Sequence, residues 1–323
     1  MTTTVLGIDI SKKKFHVALM RENGKTIPKV FPNDTVGFHE LGSWLARHHI
    51  IKVHACMEAT STYGEALAEF LYAAGHLVSI VNPARIKGFA KGELLRTKTD
   101  KVDAALIARF CAAINPEIWV PLSPEVKHLQ ALLRRLESLK QMQQQEQNRL
   151  ETASEPIVES IKCHLEYLQR SIEQTKQLID DHIEAHPPLK AQRDLLTTIP
   201  GIGEQSAAML LGEMGNLQAY ENARQLAAFA GLTPVERSSG SSVHGKPRLS
   251  RIGNPRLRNG LYWPAIVAMQ HNPLLKPFSE RLLARGKAKM QVIGAVMRKL
   301  LHQVFGILKS QKPFDPNFLS TTP

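Results

Sequence analysis

Two carboxylates three residues apart, Asp100 and Asp103, lie in the stretch Thr97-Lys98-Thr99-Asp100-Lys101-Val102-Asp103-Ala104-Ala105. The apolar residues that follow, Ala104 to Ala108 and Phe110, make this the start of a helix with a face to bury. The spacing then sets both acids on one helix face. Two fixed anions repel unless a proton, a basic side chain or a divalent cation lies between them. A hard cation such as Mg2+ needs only one or two carboxylates plus substrate phosphates. Taken alone, the pair is the ordinary acidic first turn of a helix, favoured by the helix dipole and countered by Lys98 and Lys101. Two further acids change that reading: Asp9, within a β-branched run, and Glu58, directly after the apolar run Val53 to Met57.

The elements that would position these acids follow from periodicity. Val5 to Ile10, Phe15 to Met20 and Thr26 to Phe31 read as three strands, the last two joined by the turn signal Asn23-Gly24. Phe38, Leu41, Trp44 and Leu45 recur at helical spacing, Val53 to Met57 is a fourth strand, and Leu67, Phe70 and Leu71 mark a second helix. Leu77 to Val81 is a fifth strand closed by Asn82-Pro83, after which the helix with Asp100 and Asp103 follows. The order βββαβαβα is the ribonuclease H-like arrangement, in which the first strand lies beside the fourth. Asp9 alone reads as a strand-end residue capping a turn, and Glu58 as an acid at a helix start. In this order of elements, four carboxylates from three distant segments converge, as a two-metal phosphoryl-transfer site requires.

Beyond residue 123 the pattern is helical. Residues 124–187 are polar and punctuated by leucine and isoleucine, which predicts a long helical hairpin or coiled-coil arm with a break near Ser154-Glu155-Pro156. Pro187-Pro188 ends it. Ile199-Pro200-Gly201-Ile202-Gly203 followed by apolar residues reads as a helix-hairpin-helix motif. Gly201 and Gly203 permit a tight turn whose backbone N–H groups can receive a phosphate, and the plain alternative is a structural corner. A short helix over 222–234 precedes Glu236-Arg237-Ser238-Ser239-Gly240-Ser241-Ser242-Val243-His244-Gly245-Lys246, which has no apolar periodicity and reads as a loop. With Lys246, Arg248, Arg251, Arg256 and Arg258 close behind, a hydroxyl there could attack a phosphodiester. Leu261 to Met269 and Met290 to Leu308 read as helices, and Lys312-Pro313-Phe314-Asp315-Pro316 as an unravelled tail.

The formal charge of the 323 residues is +12, and its placement matters more than its size. Residues 232–323 hold 15 Lys and Arg against 3 Asp and Glu, while the first 231 balance at 26 of each sign. That points to a polyanionic partner for the C-terminal part. Cys56, Cys111 and Cys163 form no C-x-x-C pair and read as reduced and structural, which fits a cytoplasmic protein. No segment approaches about 18 uninterrupted apolar residues, and no export signal is seen, so no membrane partner is expected.

Gly7-Ile8-Asp9, Met57-Glu58-Ala59-Thr60-Ser61-Thr62-Tyr63, Asn82-Pro83, Lys98 to Ala104, Ile199 to Gly203 and Phe229-Ala230-Gly231-Leu232-Thr233-Pro234, in that order, give the clearest pointer. The chain resembles the DEDD transposases of bacterial insertion sequences, and among them the bridge-RNA-guided recombinases. The resemblance implies an α/β plus α architecture. A RuvC-like catalytic domain would occupy 1–123, a coiled-coil arm 124–187, and a mostly helical transposase domain with a helix-hairpin-helix motif and a serine loop 188–323. It implies Asp9, Glu58, Asp100 and Asp103 as Mg2+ ligands, and Ser239, with Ser241 as the alternative, as a nucleophile forming a covalent phosphoserine. It further implies target and donor double-stranded DNA and a noncoding guide (bridge) RNA as partners. A homo-oligomer, dimer or tetramer, would draw the two halves of each site from different protomers and be nucleoid-associated in action. Two other readings of the residues stand beside this one. One is a RuvC-type junction resolvase or nuclease, in which the acids activate water. The other is a nonenzymatic nucleic-acid-binding protein whose acids are structural.

Overall fold

The structure, a computed structural model, describes residues 4–59, 62–93, 99–239, 243–250 and 252–317, the side chains of 236–239 and 243–247 excepted. It forms two compact units, residues 1–121 and 122–323. The first unit runs β1 (Thr4–Ile10), β2 (Lys14–Met20), β3 (Thr26–Pro32), α1 (Thr35–Arg47), β4 (Val53–Glu58), α2 (Glu65–Ala73), β5 (Leu77–Val81), α3 (Pro83–Gly92) and α4 (Asp100–Ile114). Its five strands are ordered β3-β2-β1-β4-β5. β1, β2 and β3 are antiparallel neighbours, whereas β1, β4 and β5 run parallel. The expected adjacency of the first and fourth strands is therefore present, and the mixed α/β class holds.

Alternation along the strands sorts the two sheet faces. Leu6, Ile8, Phe15, Val17, Leu19, Ala55 and Met57 form one face and pack against Phe38, Leu41, Trp44 and Leu45 of α1 and Leu67 and Leu71 of α2. The opposite face carries small residues at its centre, with Gly7 paired to Ala18 on one side and Cys56 on the other. Here Ala104 and Ala108 of α4 pack on Ala18, and Ile107 and Cys111 share a small core with Cys56 and Val81. Small residues on both partners let helix and sheet approach closely.

Between Val81 and Asp100 the sequence reading placed no helix, yet α3 is there. Asn82 caps it by accepting from the Ala84 N–H at 2.8 Å, and Pro83 occupies its first turn. Periodicity missed it because only Ile86 of its ten residues is buried.

The second unit is mostly helical: α5 (Pro124–Glu151), α6 (Glu155–Glu184), α7 (Pro187–Thr197), α8 (Glu204–Met214), α9 (Ala223–Phe229), β6 (Pro234–Ser239), β7 (Val243–Leu249), α10 (Pro255–Gly260), α11 (Tyr262–His271), α12 (Leu275–Ala284) and α13 (Lys289–Ser310). The expected break near Pro156 separates α5 from α6, with Ser154 at the cap position. The two helices lie antiparallel, since Glu146 meets His164, Gln143 meets Gln169, and Glu125 meets His182. Leu129, Leu136 and Leu139 of α5 belong to the same core as Val292, Val296 and Leu300 of α13.

Three features differ from expectation. The serine-rich run is flanked by paired strands rather than being loop throughout, because β6 and β7 join through backbone hydrogen bonds that need no apolar side chains. Helices α10 and α12 were not anticipated. The segment after α13 is tied down: the Phe314 N–H donates to Thr198 Oγ1 at 2.9 Å, and the Phe314 ring packs against the core.

Candidate active site

The close approach of α4 to β1 builds the site. A Cβ on Gly7 would stand 2.1 Å from the Ala104 carbonyl oxygen and 2.4 Å from the Ala108 nitrogen. Asp9 lies two residues beyond Gly7, so it points to the same sheet face. Its antiparallel partner is His16. The parallel register that pairs Ile8 with Met57 makes Glu58 the next residue beside it. Asp100 stands one turn before Ala104 on the row that packs over β1 and β2. Asp103 stands one turn before Ile107, on the row that packs over β4. The four acids therefore share one face at the end where β1 and β4 finish and α4 begins.

Local structure favours negative charge here. Thr99 caps α4 by accepting from the Val102 N–H, and both acids of the helix lie in its first turn, where unpaired backbone donors and the helix dipole stabilise anions. Asp100 also meets two basic side chains from β2: Oδ2 lies 3.8 Å from Lys14 Nζ and 3.2 Å from His16 Nε2. The His16 nitrogen is buried and, apart from this contact, has no hydrogen-bond partner. Sequence reading missed both residues. Lys14, His16 and Ala18 alternate along β2, but only the β1–β2 register shows that they face Asp9 and α4.

Deeper on the same face, the thiols of Cys56 and Cys111 are hydrogen-bonded neighbours, both buried, which their separation in the chain did not suggest. The hydrogen bond to Cys111, reinforced by burial, raises the Cys56 thiol, while the same bond, assisted by His54, holds the Cys111 thiol below its ordinary range. His54 Nε2 and Ser79 Oγ meet at 2.8 Å, and Ser79 donates to the carbonyls of the segment after α4. This buried network ties β4 and β5 to the end of α4.

The donor set of the candidate site is four carboxylates with no thiolate, which suits a hard divalent cation. Among the described residues, no three histidine, cysteine, aspartate or glutamate side chains are gathered closely enough to hold a metal ion by themselves. The fit is to a cation that takes one or two carboxylates and completes its shell with water and substrate phosphate, as Mg2+ does.

In the second unit, Ser239 is the last residue of β6 and pairs with Val243 of β7, which sets it at the end of the ribbon. Ser241 and Arg251 lie outside the described residues. Lys246 lies on β7, and Arg248, on the same strand, is exposed. Arg256 and Arg258 are engaged within the unit: Arg256 Nε donates to Glu137 at 2.7 Å and Arg258 to the Ala230 carbonyl at 3.2 Å. The ribbon's base is fixed by close backbone packing. Gly253, at φ 145°, leaves no room for a Cβ against the Phe229 oxygen at 2.2 Å. The Asn254 N–H donates to that oxygen, and its side chain donates to the buried Glu213 at 2.8 Å. Gly201, at φ 109°, makes the turn between α7 and α8 and packs against Pro264 and Ala268. That turn and Gly203 line an open groove of about 410 Å3 beside the exposed Trp263.

Residues 6–154 match a DEDD transposase family of IS110, described as a transposase, and residues 193–280 match the transposase IS116/IS110/IS902 family. The pilin gene-inverting protein of Moraxella bovis is 37% identical over 318 residues, covering 98% of each chain. The chain belongs to the IS110/IS116 family of DEDD transposases. The transposase for insertion sequence element IS1328 of Yersinia enterocolitica is a more distant relative, 25% identical over 83% of this chain and 84% of its own. The RuvC structure of Thermus thermophilus, 15% identical, covers 35% of this chain and 97% of that one at a TM-score of 0.28, too low to bear on the fold. As a transposase the chain is a DNA-processing enzyme. The first matched segment of this transposase contains all four carboxylates, and the second contains the α7–α8 turn and the ribbon that ends in Ser239. Among the described residues, no helix is long and apolar enough to cross a membrane.

Proposed function

We propose that this transposase cuts and rejoins DNA by direct phosphoryl transfer to a serine. The observation that carries the reading is the placement of Asp9, Glu58, Asp100 and Asp103, from three distant segments, on one sheet face beside the start of α4. These carboxylates would hold Mg2+, which when bound supplies polarisation of the phosphate and neutralisation of its developing charge. The Ser239 hydroxyl, or Ser241 in the alternative register, attacks the phosphorus. An Oγ–P bond forms as a P–O bond of the DNA backbone breaks, and the freed end leaves as a hydroxyl. In the reverse sense, a hydroxyl end of the exchanged strand attacks the phosphoserine, the DNA bond forms again, and serine is released. Each step exchanges one phosphodiester for another, so no nucleotide triphosphate is consumed.

A noncoding guide RNA that pairs with target and donor DNA would supply sequence recognition, which leaves the protein to hold backbones. The cationic excess of residues 232–323 suits that task. The name of the Moraxella relatives supports rejoining as well as cutting, because inverting a DNA segment requires both. The acids and the serine lie in different units, which accommodates a site completed between protomers of a dimer or tetramer. The test is strand cleavage of a DNA substrate with guide RNA and Mg2+, comparing wild type with Asp100→Asn and Ser239→Ala. The expected result is loss of cleavage in both variants with nucleic-acid binding retained. Full cleavage by Asp100→Asn would remove the acids from the mechanism.

A further inference from the structure

Asp100 already has partners on β2 that compete with a bound cation. Its carboxylate lies 3.2 Å from His16 Nε2 and 3.8 Å from Lys14 Nζ, both on the β2 side of the shared face. The His16 side chain is only 16% exposed, so its position is fixed by the sheet, while Lys14 is a half-exposed point charge. The acids do not gather into a cage among the described residues, although all four share one face. Both contacts fall on Oδ2, so a cation that binds at Asp100 must share the carboxylate with the two basic side chains already beside it.

We propose that Lys14 and His16 are positioning residues that hold the Asp100 carboxylate toward β2 and so set the affinity of the site for a divalent cation. The proposal rests on the metal reading of the four acids given above. On this account the pair has two effects. It offsets the repulsion among neighbouring carboxylates while the cation is absent, and it competes with the cation for Asp100. A divalent ion that binds competes with Lys14 and His16 for the Asp100 carboxylate. Weak retention of metal in the absence of DNA follows, and the substrate's phosphate oxygens, which repel nothing cationic on β2, tip the balance when they arrive.

Calorimetric titration of the full chain with Mn2+, without DNA or RNA, tests this independently of catalysis. Lys14→Gln removes an exposed charge without disturbing the core and should tighten Mn2+ binding on the order of three-fold. His16→Gln, which keeps a polar group of similar length, should tighten it in the same direction. In an Asp100→Asn background, where the competition is already gone, Lys14→Gln should leave Mn2+ affinity unchanged. Circular dichroism melting of each variant reports folding. Unchanged Mn2+ affinity in folded Lys14→Gln and His16→Gln would overturn the positioning role while leaving the metal site in place. Equal tightening by Lys14→Gln with and without Asp100 would also overturn it, since the effect would then be general charge and not release of Asp100. Absence of any Mn2+ binding by the wild type would overturn the metal reading and this proposal together.

Discussion

Replacing Gly7 by alanine adds one methyl group at the point where α4 touches β1. The new Cβ would stand 2.1 Å from the Ala104 oxygen, 2.4 Å from the Ala108 nitrogen and 2.8 Å from the Ala108 Cβ. Ordinary separations are near 3.5 Å, so the helix must withdraw by roughly 1 Å. Two of the three obstructing atoms belong to the backbone, so no rotamer change relieves them. Forced overpacking of this kind costs about 1–3 kcal/mol, of which the reduced freedom of the unfolded chain returns about 0.5 kcal/mol. A net loss of about 1.5 kcal/mol lowers the melting temperature of a unit this size by roughly 6 °C. The effect on chemistry is larger, because α4 carries Asp100 and Asp103 in its first turn. A misplacement of about 1 Å costs on the order of 100-fold in rate. Gly42 in α1 is the control, since a Cβ there meets nothing within 4 Å and Gly42→Ala should stabilise by about 0.5–1 kcal/mol without touching cleavage. Thermal unfolding and strand cleavage measured on both variants decide it. A Gly7→Ala protein that melts and cleaves like wild type would refute the claim that helix–sheet contact at this glycine sets the acids.

Gly253→Ala combines a φ of 145° with a 2.2 Å approach to the Phe229 oxygen, so it should abolish cleavage and destabilise the second unit by about 3 kcal/mol, read by urea unfolding followed within that unit. His302 on α13 is pushed down to about 4 by burial, reinforced by the charges of Arg298, Lys299 and Arg224. The folded pKa lies below the ordinary 6.5, so the unfolded chain takes up the proton first. Stability is full above about pH 6.5 and falls as pH drops toward about 4, and His302→Gln should flatten that slope in pH-dependent melting. Nucleic-acid affinity should fall by about 1000-fold or more between roughly 50 and 200 mM salt if six or more phosphates are contacted, as measured by fluorescence anisotropy.

Much of the first unit was legible because its strands are apolar, β-branched runs bounded by turn residues. Val53 to Met57 and Leu77 to Val81 need no tertiary context to be read, and their order alone places Asp9 beside Glu58. What the chain did not disclose depends on register and on distant partners. Lys14 and His16 meet Asp100 only after β1 pairs with β2 and α4 crosses both. Gly7 is an unremarkable strand residue until α4 rests on it. Arg256 reads as a free cation beside a serine-rich run, yet Glu137, 119 residues earlier, holds it. The ribbon of β6 and β7 escaped because Pro-Val-Glu-Arg-Ser-Ser has no apolar alternation, and its pairing is a backbone property. Helix α10, six residues long, is too short for any period to show.

The most direct measurement is to trap the covalent intermediate. The protein is incubated with Mg2+, guide RNA and a suicide DNA substrate whose cut end diffuses away, then denatured, digested and examined by mass spectrometry. The account predicts a DNA adduct on the peptide containing Ser239, absent in Asp100→Asn and in Ser239→Ala. An adduct on Ser241 would keep the mechanism and move the nucleophile by two residues. DNA cleaved in full with no protein adduct would contradict serine phosphoryl transfer and leave the acids as a site that activates water.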